Sequence, residues 1–176
     1  MLNDNLFLTV DFGGIVMFDA VCLKGCFGRD IAEGENLYRL FVTTDMGDEV
    51  VDAGAVIPIV GINDSTYEIL IRSDAEKSSV DDLIIVSNGV FPLEVRQRLV
   101  IADLAVLYEW DEGLGWHSLR VDPGFYGVTV NGFRKIEAGA VSRFGYELVF
   151  ARHDSLPAFS GDLEREMQVL QLNQDG

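Results

Sequence analysis

The sequence predicts a mostly β protein: an antiparallel β-sandwich or barrel with a short C-terminal helix. Apolar and polar residues alternate in short runs, as they do on half-buried strands. Gly, Pro and Asn turn signals separate these runs. With 48% apolar and 24% charged residues, the chain of 176 residues has the composition of a folded globular protein.

The predicted strands follow one another along the chain. They are 5–10, 14–19, 37–43, 55–60, 66–72, 83–87, 90–95, 97–110 (bent or split), 116–121, 125–130, 133–136 and 145–151. Pro58 and Pro92 lack the N–H that a strand ladder needs, so both are predicted at edges or bulges. Asn131-Gly132 is a strong signal for a tight hairpin turn between 125–130 and 133–136.

A helix is predicted only at the C-terminus, from Ser160 to Leu172. Ser160 can cap its first turn, and acidic residues follow where the helix dipole favours them. Leu163, Met167 and Leu170 fall on one helical face.

The chain is predicted to divide into two β halves, 1–75 and 80–176, packed as one compact unit. The polar stretch 73–82 lies between them. Segments 62–71 and 121–130 share a turn, a Tyr and alternating apolar positions, and 6–10 resembles 83–87. If the two halves arose by duplication, the first half would contain an insertion at 21–36. Unrelated β-hairpins, however, also share such turn residues and alternation.

The net charge of −16 and the pI near 4.3 exclude several classes of function. Nucleic-acid and anionic-membrane binders depend on clustered Lys and Arg, which this chain lacks. A negative field instead favours a basic protein partner, through faster association. The alternative explanation is solubility, which net charge also supports.

The sequence contains no apolar run of 18 residues, the length needed to cross a bilayer, and we expect a cytoplasmic protein. Cys22 and Cys26 match neither a redox motif nor a structural zinc site, so both are expected to be reduced thiols. No cofactor is predicted.

Catalytic and metal motifs are not recognisable in this sequence. No G-x-S-x-G nucleophile motif occurs. His117 is predicted to face solvent. His153 precedes Asp-Ser, a pair of residues typical of an ordinary turn. Asp45, Asp48 and Glu49 do not have the spacing of a calcium loop and are predicted in a solvated hairpin loop.

The most suggestive local cluster is the turn from Trp110 to Trp116, which also contains Asp111 and Glu112. Two rings and two acids could bind a sugar, but a cross-strand Trp pair that closes a hairpin has the same pattern. The predicted interaction surface comprises Trp110, Asp111, Glu112, Trp116, Asp45, Asp48 and Glu49.

The segment 119–130 (LRVDPGFYGVTV) resembles a hairpin of small acidic bacterial β-proteins of the competence-J nuclease-inhibitor and toxin-immunity type. The resemblance covers residues 97–131. It implies a β-sandwich that binds and blocks a basic enzyme, and no inhibitory residue can be assigned from it.

The sequence therefore predicts a non-catalytic acidic protein that binds a basic partner, as an inhibitor or immunity-type protein does. One alternative is a small-molecule or carbohydrate-binding domain that uses the Trp110/Trp116 turn. Another is a structural or oligomeric module; the sequence leaves the oligomeric state open.

Overall fold

The computed structural model describes residues 5–171 and arranges the strands in two facing sheets. The first sheet has the order β1 (Leu6–Val10), β4 (Ser65–Ser73), β9 (Ala140–His153), β8 (Gly124–Glu137), β5 (Ile84–Val95). The second has the order β3 (Val56–Val60), β2 (Gly14–Asp19), β6 (Leu99–Asp103), β7 (His117–Leu119). Neighbouring strands are antiparallel except β4 and β9, which are parallel. The predicted mostly β, antiparallel class is confirmed, in the form of a sandwich.

The main core lies between the two sheets and takes side chains from both. Met17 and Ile101, paired at the centre of the four-stranded sheet, lie in the same buried cluster as Tyr67, Tyr146 and Leu148 of the five-stranded sheet. Burying one side chain of this size contributes about 1.5–3 kcal/mol. The alternating pattern of the sequence thus reflects one buried face for each strand.

Four short helices cover the outer face of the four-stranded sheet: α1 (Ala20–Phe27), α2 (Leu37–Thr43), α3 (Met46–Asp52) and α4 (Ala105–Tyr108). Val16 and Phe18 of β2 face this layer, whereas Ile15 and Met17 face the main core. Strand β2 is therefore buried on both faces, which explains its unbroken apolar run. In residues 5–171, no helix has the length and apolarity required to span a bilayer.

Three predictions in this region are wrong, one of them only in part. Residues 37–43, predicted as a strand, form α2, because the Asn36 side chain accepts a hydrogen bond from Arg39 N at 2.8 Å and caps the helix. Leu37 and Phe41, one turn apart, both pack into the helical layer. The acidic stretch that begins at Asp45, predicted as a hairpin loop, enters α3. The predicted strand 97–110 is split, as expected, but its second part is the helix α4 and not a strand.

Asn131-Gly132 is not a turn, and this prediction is also wrong. Both residues lie inside β8, which continues to Glu137. Asn131 is held there because its side chain hydrogen-bonds to Ser87 and Glu147. The turn lies instead at Ala138-Gly139, where both residues have positive φ, 52° and 77°.

Both proline predictions are confirmed. Pro58 lies in β3, an edge strand of its sheet. Pro92 lies in β5, also an edge strand, beside an irregularity in its pairing with β8. The predicted strands 83–87 and 90–95 are the two parts of β5 on either side of that irregularity.

The C-terminal helix is absent from the described residues, and its last predicted residue, Leu172, lies outside them. Met167 and Val169 are both buried, a spacing of two that belongs to extended chain. Met167 N donates to Val60 O at 3.1 Å, and Tyr146 Oη donates to Met167 O at 2.6 Å. These tertiary contacts replace a helix that would be marginal at this length.

The likeness between 62–71 and 121–130 extends to three-dimensional detail. The Tyr67 hydroxyl donates to Asn63 O, and the Tyr126 hydroxyl donates to Asp122 O, each at 2.6 Å. Leu8 lies opposite Tyr67, and Leu93 lies opposite Tyr126. The strand equivalent to 6–10 in this arrangement is therefore 91–95, not the predicted 83–87.

The predicted halves 1–75 and 80–176 both contribute strands to each sheet. The connection from β2 to β3 spans residues 20–55 and holds three helices, whereas that from β6 to β7 spans 104–116 and holds one. Any insertion in the first half would therefore be larger than the predicted 21–36. The division into two related halves stays a prediction.

The buried carboxylate of Asp19 joins three elements. One oxygen accepts from Val21 N at 2.8 Å and caps α1. The other accepts from the backbone N–H groups of Arg96 (2.8 Å), Gln97 (2.8 Å) and Arg98 (3.1 Å) in the β5–β6 loop. Asp19 is 1% exposed, so its carboxylate depends on these four N–H donors in place of bulk water.

We expect Asp19→Ala to lower the free energy of unfolding by about 3 kcal/mol, because it leaves four N–H groups without their charged acceptor. Urea unfolding would measure the change. Asp30→Ala removes an exposed carboxylate 3.8 Å from Lys24 and should cost less than about 0.5 kcal/mol. Equal losses in the two variants would contradict this role of Asp19.

A second buried carboxylate, Glu147 of β9, anchors the loop between β4 and β5. Ser78 Oγ donates to it at 2.6 Å and Asn131 Nδ2 at 3.1 Å, while Arg72 Nε lies 3.1 Å away. Burial opposes ionisation, but these donors and the Arg72 charge outweigh it, so the pKa of Glu147 lies below its usual value. The loop thereby covers the outer face of the five-stranded sheet.

We expect Glu147→Gln to destabilise the protein at neutral pH by about 2 kcal/mol, because the Arg72 charge loses its partner. A folded-state pKa below the unfolded value of about 4.3 means that the stabilisation is complete above that pH and is lost as pH falls through the folded pKa. Urea unfolding over a pH series should show the two proteins converging in acid. A gap independent of pH would refute the linkage.

Candidate functional site

The candidate site is a groove between the helical layer and the C-terminal segment. Its floor is apolar and comes from α2, α3, β3 and α4; it includes Phe41, Val42, Val51, Pro58 and Leu107, and Leu163 faces it from the C-terminal segment. A smaller part is lined by Phe159 and Gly161. The two parts have volumes of about 430 and 380 Å³ and share Asp48 and Leu163. We call this feature the acidic groove.

Four exposed carboxylates line the acidic groove: Asp48, Asp52, Asp162 and Glu164. No Lys or Arg is among the residues that line it. None of the four forms an ion pair with another residue within 5–171. The groove therefore combines an apolar floor with uncompensated negative charge.

The C-terminal wall of the groove is held by β5. Asn88 donates to Asp162 O at 2.7 Å and accepts from Asp162 N at 2.9 Å. Ser160 and Val90 exchange two further hydrogen bonds, N to O at 3.0 Å and N to Oγ at 2.9 Å. Leu163 and Glu164 are thus positioned by backbone contacts, which do not depend on a helix.

The helical wall depends on close packing between α2 and α3. A Cβ at Gly47 would collide with the carbonyl group of Phe41, so α3 can approach α2 only with glycine at this position. The ring of Tyr38, which lines the groove, stacks on that of Tyr108 with centroids 4.3 Å apart. Desolvation, together with the neighbouring Tyr38 hydroxyl, raises the pKa of Tyr108. Val42 is 61% exposed at the groove, an uncovered apolar side chain.

The predicted interaction residues do not meet in one site. Asp45, Asp48 and Glu49 are all exposed at the start of α3, but only Asp48 lines the acidic groove. Glu112 and Trp116 line a different cavity.

The two tryptophans belong to the core of the helical layer. Trp110 is 1% exposed, and its ring lies 5.2 Å from Trp116 and 5.6 Å from Phe18. The predicted place of Trp110 on an interaction surface is therefore wrong, because a buried ring cannot stack on a ligand. Asp111 is exposed, and Glu112 pairs with Lys24 at 2.9 Å.

Sequence reasoning missed Asp52, Asp162, Leu163 and Glu164 as groove residues. The acid, apolar, acid order of 162–164 predicts the first turn of a helix. These residues instead form a single tight turn, in which Arg165 N donates to Asp162 O at 3.3 Å and Glu164 N donates to the Asp162 carboxylate at 2.9 Å. Asp is a residue type that bonds the N–H two residues on in such turns, and this was the available signal.

The two cysteines are free thiols, as expected. Burial raises the pKa of Cys22 to about 12 and also raises that of Cys26. Both thiols are therefore protonated near neutral pH and are poor nucleophiles. Within residues 5–171, no three side chains of the His, Cys, Asp or Glu type form a group that could hold a metal ion.

No family model matches the sequence, and no curated protein matches it. Among solved structures, a protein titled "Crocagin biosynthetic gene J" is similar, with a TM-score of 0.47 and 17% sequence identity. The match covers 86% of this chain and 96% of that chain. A likeness at this level supports no inference about the function of this protein.

We expect Gly47→Ala to destabilise the protein by about 2 kcal/mol, because the added methyl group overpacks the contact between α2 and α3. Gly25→Ala is the matched control within a helix. Its Cβ would meet only Arg96 at 3.7 Å, so it should be neutral or stabilising by up to about 1 kcal/mol. Thermal unfolding would measure both, and a stabilised Gly47→Ala variant would contradict the close approach.

Proposed function

We propose that the protein is a non-catalytic binding protein whose acidic groove receives a basic, amphipathic segment of a partner protein. The observation that carries the proposal is the pairing of an apolar floor with four carboxylates and no basic residue. An amphipathic segment would bury its apolar side chains against Val42 and Leu163, while its Lys or Arg residues face the carboxylates. Apolar anchors supply most of the affinity in such complexes.

The charge of the whole chain supports the same partner. A net charge of −16 attracts a basic protein before contact and so raises the association rate. The carboxylates at the exposed rim of the groove then select and orient the basic segment. An anionic partner would meet repulsion at both stages.

A role as an inhibitor or immunity-type protein follows if the bound segment belongs to the working surface of a basic enzyme. Occupying that segment would block the enzyme without any chemistry by this chain. The protonated state of both thiols supports binding without covalent catalysis.

The two free thiols support a location in the cytoplasm, where disulfides are rare.

The test uses a synthetic helical peptide with leucines on one face and lysines on the other. Fluorescence anisotropy should show saturable binding to the full chain, weakened by salt because charges attract across the rim. Replacing all four groove acids (D48N, D52N, D162N and E164Q) should weaken binding about tenfold or more.

The matched control removes four exposed acids outside the groove (E33Q, D81N, D111N and D154N) and changes the net charge by the same amount. It should weaken binding about twofold, through the long-range field alone. Leu163→Ala should weaken binding without altering the salt dependence, because it removes an apolar contact. Equal losses from the two acid sets, or no binding of the lysine peptide, would contradict the proposal.

A further inference from the structure

A second cavity, of about 570 Å³, has a different chemical character from the acidic groove. It lies where the loop after β4, the β5–β6 loop and the β7–β8 connection meet, with Tyr126 and Phe150 at its wall. Three arginines line it: Arg98, Arg120 and Arg152. We call it the arginine cleft.

Three arginines in one cleft stand out in this chain, which has 13 basic residues against 29 acidic ones. Asp74, Glu76 and Asp122 also line the cleft. Within residues 5–171, however, neither Arg98 nor Arg152 lies within ion-pair distance of a carboxylate. The charges of Arg98 and Arg152 are therefore not neutralised by direct contact with a carboxylate of the described residues.

Neutral groups hold Arg152 in place. Its guanidinium donates to Tyr126 Oη at 3.3 Å and to Pro123 O at 3.1 Å, and it lies 5.7 Å from the centre of the Tyr126 ring. Tyr126 is itself fixed by donating to Asp122 O at 2.6 Å. A guanidinium has five N–H donors, so this arrangement leaves donors for an oxyanion.

Arg98 is held from its backbone. Its N–H donates to the buried Asp19 carboxylate at 3.1 Å, and its guanidinium lies 5.8 Å from the centre of the Trp116 ring. A neighbouring cavity of about 430 Å³ shares Gln97 and Arg98 with the cleft and adds Lys24, which pairs with Glu112 at 2.9 Å. The buried indole N–H of Trp116, which lines that cavity, has no acceptor within the described chain. An indole N–H without an acceptor therefore lies near Arg98.

We propose that the arginine cleft binds a small oxyanion ligand, a carboxylate or a phosphate, through Arg98 and Arg152. Guanidinium groups suit both anions because their planar N–H pairs match two oxygen atoms. An apolar portion of the ligand would contact Leu119 and Tyr126. The net charge of −16 repels extended polyanions, so the ligand is a small molecule and not a nucleic acid.

The first experiment titrates the full-length, isotope-labelled protein with inorganic pyrophosphate and, separately, with citrate, at constant ionic strength. Saturable amide shifts are expected at residues 97–98, 120–122 and 73–76. A response to pyrophosphate alone identifies a phosphate site, and a response to citrate alone identifies a carboxylate site. If neither anion at millimolar concentration moves these amides, the proposal is overturned.

The second experiment compares Arg98→Ala and Arg152→Ala with the control Arg39→Ala. Arg39 is an exposed arginine of α2 that does not line the cleft. Each cleft variant should weaken anion binding about tenfold or more, whereas the control should retain it. Amide spectra establish that each variant is folded; if Arg152→Ala unfolds, Arg98→Ala alone decides. Equal weakening by Arg39→Ala would show that only surface charge is sensed and would overturn the proposal.

This site is independent of the acidic groove. Arg98→Ala should leave binding of the lysine peptide unchanged, and the groove variants should leave anion binding unchanged. Failure of one proposal can therefore be told apart from failure of the other.

Discussion

The buried carboxylate of Asp19 is the interaction on which both candidate sites depend. It caps α1, where the chain leaves the sandwich to form the helical layer, and it also holds the β5–β6 loop. By capping α1, Asp19 fixes the residue at which the helical layer begins. This layer carries one wall of the acidic groove. By holding the β5–β6 loop, Asp19 presents Gln97 and Arg98 to the arginine cleft. A buried charge is tolerated only when such donors surround it, so the three elements keep one relative arrangement.

The two sites divide the charge of the protein. The acidic groove has an apolar floor and no basic side chain, whereas the arginine cleft holds three of the 13 basic residues. Apolar side chains fill the space between the sheets, so most acidic residues lie in loops and at strand ends. The net charge is thus the sum of the charges on distinct surfaces. The number of acidic and basic residues in the chain does not reveal the local charge of either site.

Much of the sandwich could be predicted from local pattern, because alternation reports one buried face per strand. The pattern failed where tertiary contacts outweighed it. Asn131-Gly132 has the chemistry of a turn but lies within β8, where Asn131 completes the network around Glu147. Leu163, Met167 and Leu170 have helical spacing, yet hydrogen bonds from Met167 to Val60 and from Tyr146 to Met167 hold the chain around Met167 extended. Of the acidic groove, the sequence indicated Asp48 but not the wall that faces it.

The sequence by itself determined the fold class, the edge positions of Pro58 and Pro92, the paired tyrosine motifs and the acidic character. All of these depend on composition or on neighbours within a few residues. Only the tertiary structure decided that Trp110 is core and that Leu163 lines a groove. It also decided that Arg98 and Arg152, far apart in the chain, share a cleft. The physical reason is that a site is made of side chains brought together by long-range strand pairing, and no local pattern encodes which strands pair.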